Sequence, residues 1–288
     1  MRLTIATSSE AIRFRLRVTI GLVLVGTGCG SVALAEEPQS SQSSQPDADE
    51  EARREIVRIA KQYQLFAGPD RRPLAMDEEP ALRWPNPTRE TRDGATFLWT
   101  LEGRPAAIAC IWKHGVHSFA FQSLSDGPLV AEHGGSILWQ PANSGMTFQP
   151  FAAAPEPAST PAKRLLQMKD LARRFHCRLV LNDGKKEELR LLPKPLYRYA
   201  PTRDDLLDGA LFAFVQGTDP EVILLIEARR VGEHAAWNYA FTRRSMLPLE
   251  ADLEDEPVWS VPLSIGSPNE PWFHGSVRPL SADVSPKP

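Results

Sequence analysis

The chain has 288 residues, of which 42% are hydrophobic and 24% are charged. This apolar content excludes a wholly disordered chain and suffices for one large domain or two ordinary ones. Its 26 prolines against 18 glycines disfavour a mainly helical fold and favour strands, turns and linkers. The formal net charge is −3, and residues 36–288 alone carry 29 basic and 35 acidic residues, a net charge of −6. Nucleic acid is therefore not an expected partner.

The N-terminus resembles a secretory signal. Three arginines within residues 13–17 precede an apolar run over residues 18–25, and the Ala-Leu-Ala of residues 33–35 offers a cleavage site. Two alternatives stay open, namely lipidation of Cys29 and retention of residues 18–35 as a short membrane anchor. The sequence predicts export to the periplasm or the extracellular space, with membrane contact only through one of these alternatives.

Each half of the remaining chain begins with the pattern of an amphipathic helix. Ile56, Ile59, Ala60 and Tyr63 have the i, i+3, i+4, i+7 spacing of one apolar stripe. The same stripe recurs in Met168, Leu171, Ala172 and Phe175.

Strands are predicted after each helix. In the second half, the Asn-Asp-Gly of residues 182–184 predicts a hairpin turn, because these residues tolerate positive φ. Residues 217–220 predict a second hairpin between strands over residues 211–216 and 222–228. The next strand presents its aromatic side chains on one face, namely Trp237, Tyr239 and Phe241.

The two halves also match each other residue by residue. DGATF at residues 93–97 recurs as DGALF at residues 208–212, and FAF at residues 119–121 recurs as YAF at residues 239–241. Further matches in the same order are Thr88/Thr202, Arg89/Arg203, Glu90/Asp204, Ser125/Ser245, Glu132/Asp252 and Trp139/Trp259. An ordered series of this kind indicates a duplication.

These patterns predict an α+β fold of two tandem repeats, each an amphipathic helix followed by a mostly antiparallel β-meander. The predicted organisation is a signal peptide at 1–35, a polar tether at 36–50, repeat unit 1 at 51–150, a Pro/Ala linker at 151–161, repeat unit 2 at 162–265 and a Pro-rich tail at 266–288. Trp272 and Phe273 could instead dock on the body. Because one helix covers only one face of a sheet, the two units are expected to pack together.

Two strings in the second half resemble a known family. RLLPKPLYRY at residues 190–199 and DGALFAFVQGTDP at residues 208–220 are similar to strings that recur in a family of exported proteins from planctomycete bacteria. The resemblance covers residues 160–262. Since no activity is assigned to that family, the resemblance implies export and a bacterial envelope setting and carries no mechanism.

The sequence contains no phosphate-binding glycine loop, dinucleotide fingerprint, Cys-x-x-Cys pair or His-Glu-x-x-His helix. No catalytic residue, metal site or cofactor is therefore predicted. His114 and His117 are spaced for a shared metal but lack a third ligand. The acidic run over residues 250–256 lacks the spacing of a calcium loop.

Candidate binding residues come from aromatic and basic positions. A binding surface is one interpretation of Tyr197, Tyr199, Arg203 and Trp237, and the edge of the core is the other. The basic faces of the predicted helices could touch acidic polymers or lipid head groups, or could simply be solvated. They consist of Arg53, Arg54, Arg58 and Lys61 in the first half and Arg164, Lys169, Arg173 and Arg174 in the second.

The pattern as a whole predicts a non-enzymatic binding or assembly scaffold of the envelope or periplasm, whose partner is an envelope protein or polymer. The alternative is a secreted hydrolase with a site between the two units, using Asp204, Asp205, His176 or His234. Cys110 and Cys177 could form a disulfide after export, but their apolar surroundings favour two buried thiols.

Overall fold

The computed structural model describes residues 44–86, 91–114, 116–200, 205–232 and 234–278. The predicted signal, its cleavage site and Cys29 lie outside these residues. The described residues form two helices, α1 (Ser44–Ala60) and α2 (Pro161–Ala172), and nineteen strands. The strands in chain order are β1 (Tyr63–Ala67), β2 (Arg72–Pro73), β3 (Ala75–Met76), β4 (Leu82–Asn86), β5 (Thr91–Leu101), β6 (Arg104–His114), β7 (Val116–Ser123), β8 (Leu129–His133), β9 (Ser136–Trp139), β10 (Gln149–Pro150), β11 (Phe175–Val180), β12 (Lys186–Leu191), β13 (Tyr197–Tyr199), β14 (Leu206–Gln216), β15 (Asp219–Val231), β16 (His234–Arg243), β17 (Leu249–Leu253), β18 (Glu256–Val261) and β19 (Trp272–Val277).

The predicted fold class is wrong. The described part of the protein is mostly β, with 55% in strands and 11% in helices, and it is built on a curled antiparallel sheet rather than on α+β repeats of a helix and a meander. The predicted meanders are wrong because strands far apart in the chain pair with each other, as β1 does with β8 and β11 does with β17. The helical spacing also continues past the end of each helix. Tyr63 and Phe175, the last members of the two predicted stripes, lie on β1 and β11, three residues beyond the ends of α1 and α2.

Three antiparallel sheets form the body. A four-stranded sheet has the order β2-β1-β8-β9, and a six-stranded sheet has the order β19-β7-β6-β5-β3 with β4 also paired to β5. A nine-stranded sheet has the order β10-β16-β15-β14-β12-β11-β17-β18 with β13 also paired to β14. This last sheet curls, because β12 pairs with β11 over Lys186–Leu189 and then with β14 at Arg190 and Leu191.

Two outer cores lie under the helices. The first joins α1, the four-stranded sheet and one face of the six-stranded sheet, and Ile59, Phe97, Phe121 and Trp139 are fully buried in it. The second lies inside the curl of the nine-stranded sheet under α2. Its members include Met168, Cys177, Phe212, Leu224 and the three aromatic residues predicted to share a face, Trp237, Tyr239 and Phe241.

A central core lies between the six-stranded and nine-stranded sheets. Leu98 and Ile108 of the first sheet pack there with Leu211, Ile223 and Leu225 of the second. Strands β5, β6, β14 and β15 are therefore buried on both faces, which explains their nearly continuous apolar runs. The six-stranded and nine-stranded sheets therefore pack against each other in this core, and their assignment to two repeat units stays a prediction.

The order of strand pairing recurs along the chain. β1 pairs with β8 and β11 pairs with β17, while β4 pairs with β5 and β13 pairs with β14. Each stretch continues into three long antiparallel strands, β5-β6-β7 and β14-β15-β16. Common descent of the two stretches stays a prediction.

The first part of the chain (β1–β10) and the second part (β11–β19) also exchange strands. β10, from the first stretch, pairs with the outer edge of β16 at Tyr239 and Asn238. β19, from the end of the chain, pairs with the outer edge of β7 over its whole length. Residues 272–277 of the predicted tail are therefore part of the six-stranded sheet, and Trp272 is buried in the body. An edge strand covered in this way is protected from pairing with other chains.

Turn chemistry is confirmed where it was predicted. Gly184, with φ of 81°, lies in the β11–β12 hairpin, where its N–H donates to the carbonyl of Leu181 at 2.8 Å. Gly217, with φ of 61°, lies in the β14–β15 hairpin. Helix α2 begins at Pro161 behind the N-cap residue Thr160, whose hydroxyl accepts from Lys163 N–H. Helix α1 begins at Ser44, within the stretch interpreted as a tether.

Candidate functional site: an apolar cleft beside a basic groove

A cleft of about 530 Å³, called the apolar cleft below, opens on the surface of the described residues. It lies between β1 and the segment that runs from β2 to the loop after β3. Its apolar lining consists of Tyr63, Leu65, Phe66, Pro73, Leu74, Met76 and Trp99. Three polar residues, Lys61, Gln64 and Glu78, complete the lining. The chemistry of these side chains suits an apolar group bound beside charged ones.

The cleft exists because the chain changes sheets at Leu74. β2 pairs with the end of β1 at Phe66 and Ala67, whereas β3 pairs with β5 at Thr100 and Trp99. Leu74 lies between the two strands, and its N–H donates to the carbonyl of Leu65 at 2.8 Å. Beyond Leu74 the chain therefore pairs with β5 instead of β1, and Trp99, near the end of β5, lines the cleft.

A second concavity of about 470 Å³, called the basic groove, adjoins the cleft. It lies between the outer face of α1 and the loop that leads to β4. Five basic and three acidic residues line it together with Val57, namely Arg53, Arg54, Arg58, Lys61, Arg83, Glu50, Glu78 and Glu79. Lys61 and Glu78 belong to both concavities, so the groove and the cleft are continuous at these two residues.

Only part of the positive charge in the basic groove is neutralised locally. Lys61 Nζ lies 3.1 Å from Glu78 Oε1, and Arg54 Nε lies 3.3 Å from Glu50 Oε1. Within the described part of the chain, Arg53, Arg58 and Arg83 form no ion pair. Because both ion pairs are exposed, each adds little to stability and can exchange partners at low cost.

A buried ion cluster of Arg104, Tyr199, Glu227 and Arg229 joins the two larger sheets. Glu227 on β15 is fully buried, and its carboxylate accepts from Tyr199 Oη at 2.7 Å, Arg229 Nε at 2.6 Å and Arg104 Nη2 at 3.1 Å. Arg104 comes from β6 of the six-stranded sheet, while the other residues belong to the nine-stranded sheet. Burial and the Glu227 charge raise the pKa of Tyr199, so its hydroxyl stays a donor. The mutual satisfaction of these groups makes the cluster structural.

The predicted binding residues divide between two places. Tyr197 and Tyr199 stack on β13 with ring centroids 6.4 Å apart, and Tyr197 Oη donates to the carbonyl of Gly103 at 3.3 Å. Trp237 lies in the core inside the curled sheet. For this residue the core interpretation holds and the binding-surface interpretation does not. Arg203 lies outside the described residues. Tyr199 and Trp237 are thus both buried, and no common surface joins them.

The side chains named for a hydrolase have separate partners. His176 Nδ1 lies 3.3 Å from Glu188, and His234 Nδ1 lies 3.4 Å from Glu156; both histidines are exposed. The carbonyl of Asp205 accepts from Arg230 N–H at 2.7 Å. Asp204 lies outside the described residues. The contacts described here do not bring a histidine and an aspartate together as a nucleophile and a base would require.

The predicted metal ligands and the two cysteines each lie among neighbours that define their role. His117 is buried with Nε2 at 3.2 Å from Glu55, and burial lowers the pKa of His117 although the Glu55 charge opposes the shift. Within the described residues, no group of three His, Cys, Asp or Glu side chains could hold a metal ion. Cys110 and Cys177 are separate buried thiols, as their apolar surroundings predicted.

Sequence reasoning missed Glu227, Arg104 and most of the cleft. A usable signal existed for Glu227, because it directly follows the apolar run of residues 222–226 in a predicted strand. A carboxylate in such a run is expected to be buried with a cationic partner. The cleft residues Leu74 and Met76 carry no comparable signal, since the strands on either side of Leu74, β2 and β3, have only two residues each.

Tyr63, which lines the cleft, carries a buried hydroxyl with no hydrogen-bond partner among the described residues. Phe175 holds the matched position on β11 without a hydroxyl. Tyr63→Phe is therefore expected to raise the free energy of unfolding by about 1 kcal/mol, because it removes an unsatisfied polar group. Urea denaturation measures the change.

A matched control for that substitution is Tyr239→Phe. Tyr239 is equally buried, but its hydroxyl donates to Gln149 Oε1 at 2.9 Å. Its removal is expected to lower stability by about 1 kcal/mol. Equal losses in the two variants would show that the hydroxyl of Tyr63 is satisfied after all.

In the described part of the chain, neither helix has the length and apolar character needed to cross a bilayer. Comparison of the chain with protein-family models, curated proteins and solved structures gives no match.

Proposed function

We propose that this chain is an exported protein of the bacterial envelope that acts by binding rather than by catalysis, and that the apolar cleft is its binding site. The N-terminal pattern of arginines, apolar residues and a small-x-small site supports export. The resemblance of residues 190–199 and 208–220 to exported planctomycete proteins supports an envelope setting.

The single observation that carries the binding role is the construction of the cleft. Its volume of about 530 Å³ falls in the range of about 300–1,000 Å³ typical of small-molecule sites. Its walls combine an indole, aliphatic side chains and a few polar groups at the mouth. Strand pairing on both sides holds the walls, since β1 is paired to β8 along its whole length and β3 is paired to β5.

The surroundings of the charged side chains support binding without catalysis. The carboxylate of Glu227 is engaged by three donors, and the histidines proposed for a hydrolase each contact a different glutamate. The cleft itself is lined by one lysine, one glutamate and one glutamine as its polar residues, which is a poor set for acid–base or nucleophilic chemistry.

Titration with an uncharged dye tests this proposal. N-phenyl-1-naphthylamine, which becomes fluorescent in apolar surroundings, is expected to bind saturably to the purified protein. Met76→Trp places an indole in the cleft opposite Trp99 and is expected to weaken binding at least tenfold. Gln64→Trp, at an exposed position of the same lining, is a second variant that leaves the core intact.

The matched control is Leu166→Trp, which adds an indole at a residue 62% exposed on α2, away from the cleft lining. It should bind the dye as the wild type does. Failure of the wild type to bind saturably, or wild-type affinity in both cleft variants with unchanged melting temperatures, would contradict the proposal.

A further inference from the structure

We infer that the ligand of the cleft is a single anionic amphiphile, with an apolar chain in the apolar cleft and a carboxylate or phosphate head in the basic groove. This inference rests on the proposed function and adds the chemical class of the ligand. It follows from the continuity of two concavities with different linings, which share Lys61 and Glu78.

The apolar chain of the ligand fits the lining of the apolar cleft. The apolar surface open to a ligand belongs to Phe66, Pro73 and Met76, whereas Leu65, Leu74 and Trp99 of the same lining are almost fully buried. An alkyl chain gains binding free energy in proportion to the apolar area removed from water, and it needs no hydrogen-bond partner there. The cleft therefore favours an unbranched apolar group over a sugar or a peptide backbone, whose polar groups would lose hydrogen bonds.

The charged head group of the ligand fits the basic groove. The basic groove holds five cationic and three anionic side chains, whereas residues 36–288 as a whole carry a net charge of −6. Within the described residues, Arg53 and Arg83 form no ion pair, and Arg58 forms none within 4 Å although its charge helps to lower the pKa of Glu55. An excess of unpaired guanidinium groups on an acidic body attracts a compact anion and binds it with charge-assisted hydrogen bonds.

Lys61 and Glu78 form the boundary between the two concavities. Lys61 and Glu78 are both exposed, so opening their ion pair costs little. When an anionic head enters the groove, Lys61 can exchange the Glu78 carboxylate for the head group. Glu78 then faces the ligand as a repelling charge, so Glu78→Gln is expected to strengthen the binding of an anionic amphiphile and not that of an uncharged one.

Isothermal titration with three ten-carbon ligands tests the inference, using decanoate, 1-decanol and decyltrimethylammonium below their aggregation concentrations. Decanoate is expected to bind at least tenfold more tightly than decanol, and the cation more weakly than decanol. Shortening decanoate to hexanoate removes four methylenes and should weaken binding on the order of a hundredfold. Arg58→Gln with Arg83→Gln should weaken decanoate about tenfold and leave decanol unchanged.

The control for charge is Lys163→Gln with Arg173→Gln, which removes one exposed cation from α2 and one from its C-cap and should leave decanoate binding unchanged. Equal binding of all three ten-carbon ligands, unaffected by Arg58→Gln with Arg83→Gln, would overturn the anionic head while leaving the proposed binding function intact. Binding of none of them, together with no binding of the uncharged dye, would overturn the proposed function itself. Sedimentation with phosphatidylglycerol vesicles that Met76→Trp does not reduce would show a membrane surface as the partner and overturn the single-ligand inference.

Discussion

Glu227→Ala is expected to lower the free energy of unfolding by about 3–5 kcal/mol, the range typical of a buried ion pair that loses one partner. The Arg104 side chain is only 13% exposed, and the substitution removes the carboxylate that balances its charge. It also removes the acceptor of the buried Tyr199 hydroxyl. Since Arg104 and Glu227 come from different sheets, the loss weakens the contact between the sheets. Chemical denaturation followed by circular dichroism measures the change.

The matched control is Glu188→Ala on β12, where the carboxylate is 55% exposed and lies 3.3 Å from the exposed His176. This variant should stay within about 0.5 kcal/mol of the wild type. Arg104→Ala combined with Glu227→Ala should cost less than the sum of the single changes, because each single variant strands the other charge. A Glu227→Ala protein as stable as Glu188→Ala would contradict the role assigned to the cluster.

Gly209→Ala and Gly94→Ala are each expected to destabilise the protein by about 1–3 kcal/mol, as overpacking does. A Cβ at Gly209 would lie 2.3 Å from the ring of Tyr199, and a Cβ at Gly94 would lie 2.5 Å from the ring of Trp84. The Tyr199 ring cannot retreat, since its hydroxyl is bonded to Glu227 inside the central core. The melting temperature measured by scanning calorimetry should fall for both variants.

Gly127→Ala provides the control for these glycine substitutions. Gly127 has no atom within 4 Å of an added Cβ, and its φ is not in the left-handed region. Its melting temperature should be close to that of the wild type. If Gly209→Ala has the same melting temperature as Gly127→Ala, the Tyr199 ring moves freely over Gly209. The packing described for β13 on β14 would then be wrong.

Short-range chemistry in the sequence predicted local structure well and the fold class poorly. The turns at Gly184 and Gly217 are confirmed, because positive φ is a property of those residues and their neighbours alone. The α+β prediction is wrong because strands distant in the chain pair into a curled sheet, as β11 does with β17, instead of following one another as a meander. The helix ends were also misplaced, since Tyr63 and Phe175 have helical spacing but lie on strands. Spacing of buried positions across a helix end cannot be distinguished from one more helical turn.

The candidate site depends on long-range pairing that sequence patterns do not record. Met76 and Trp99 pair across 23 positions of the chain, and β2 and β3 are too short to show alternation. The basic face of α1 was visible in the sequence as Arg53, Arg54, Arg58 and Lys61. What made it a groove was the position of residues 78–83 opposite the helix, which follows from the change of sheet at Leu74.

The most direct test of the account is a crystal structure of the protein grown with decanoate at a saturating concentration. An extended alkyl chain is expected against Phe66, Pro73 and Met76, with the carboxylate within hydrogen-bond distance of Lys61 or Arg58. Decanoate bound elsewhere while this cleft stays empty would contradict it.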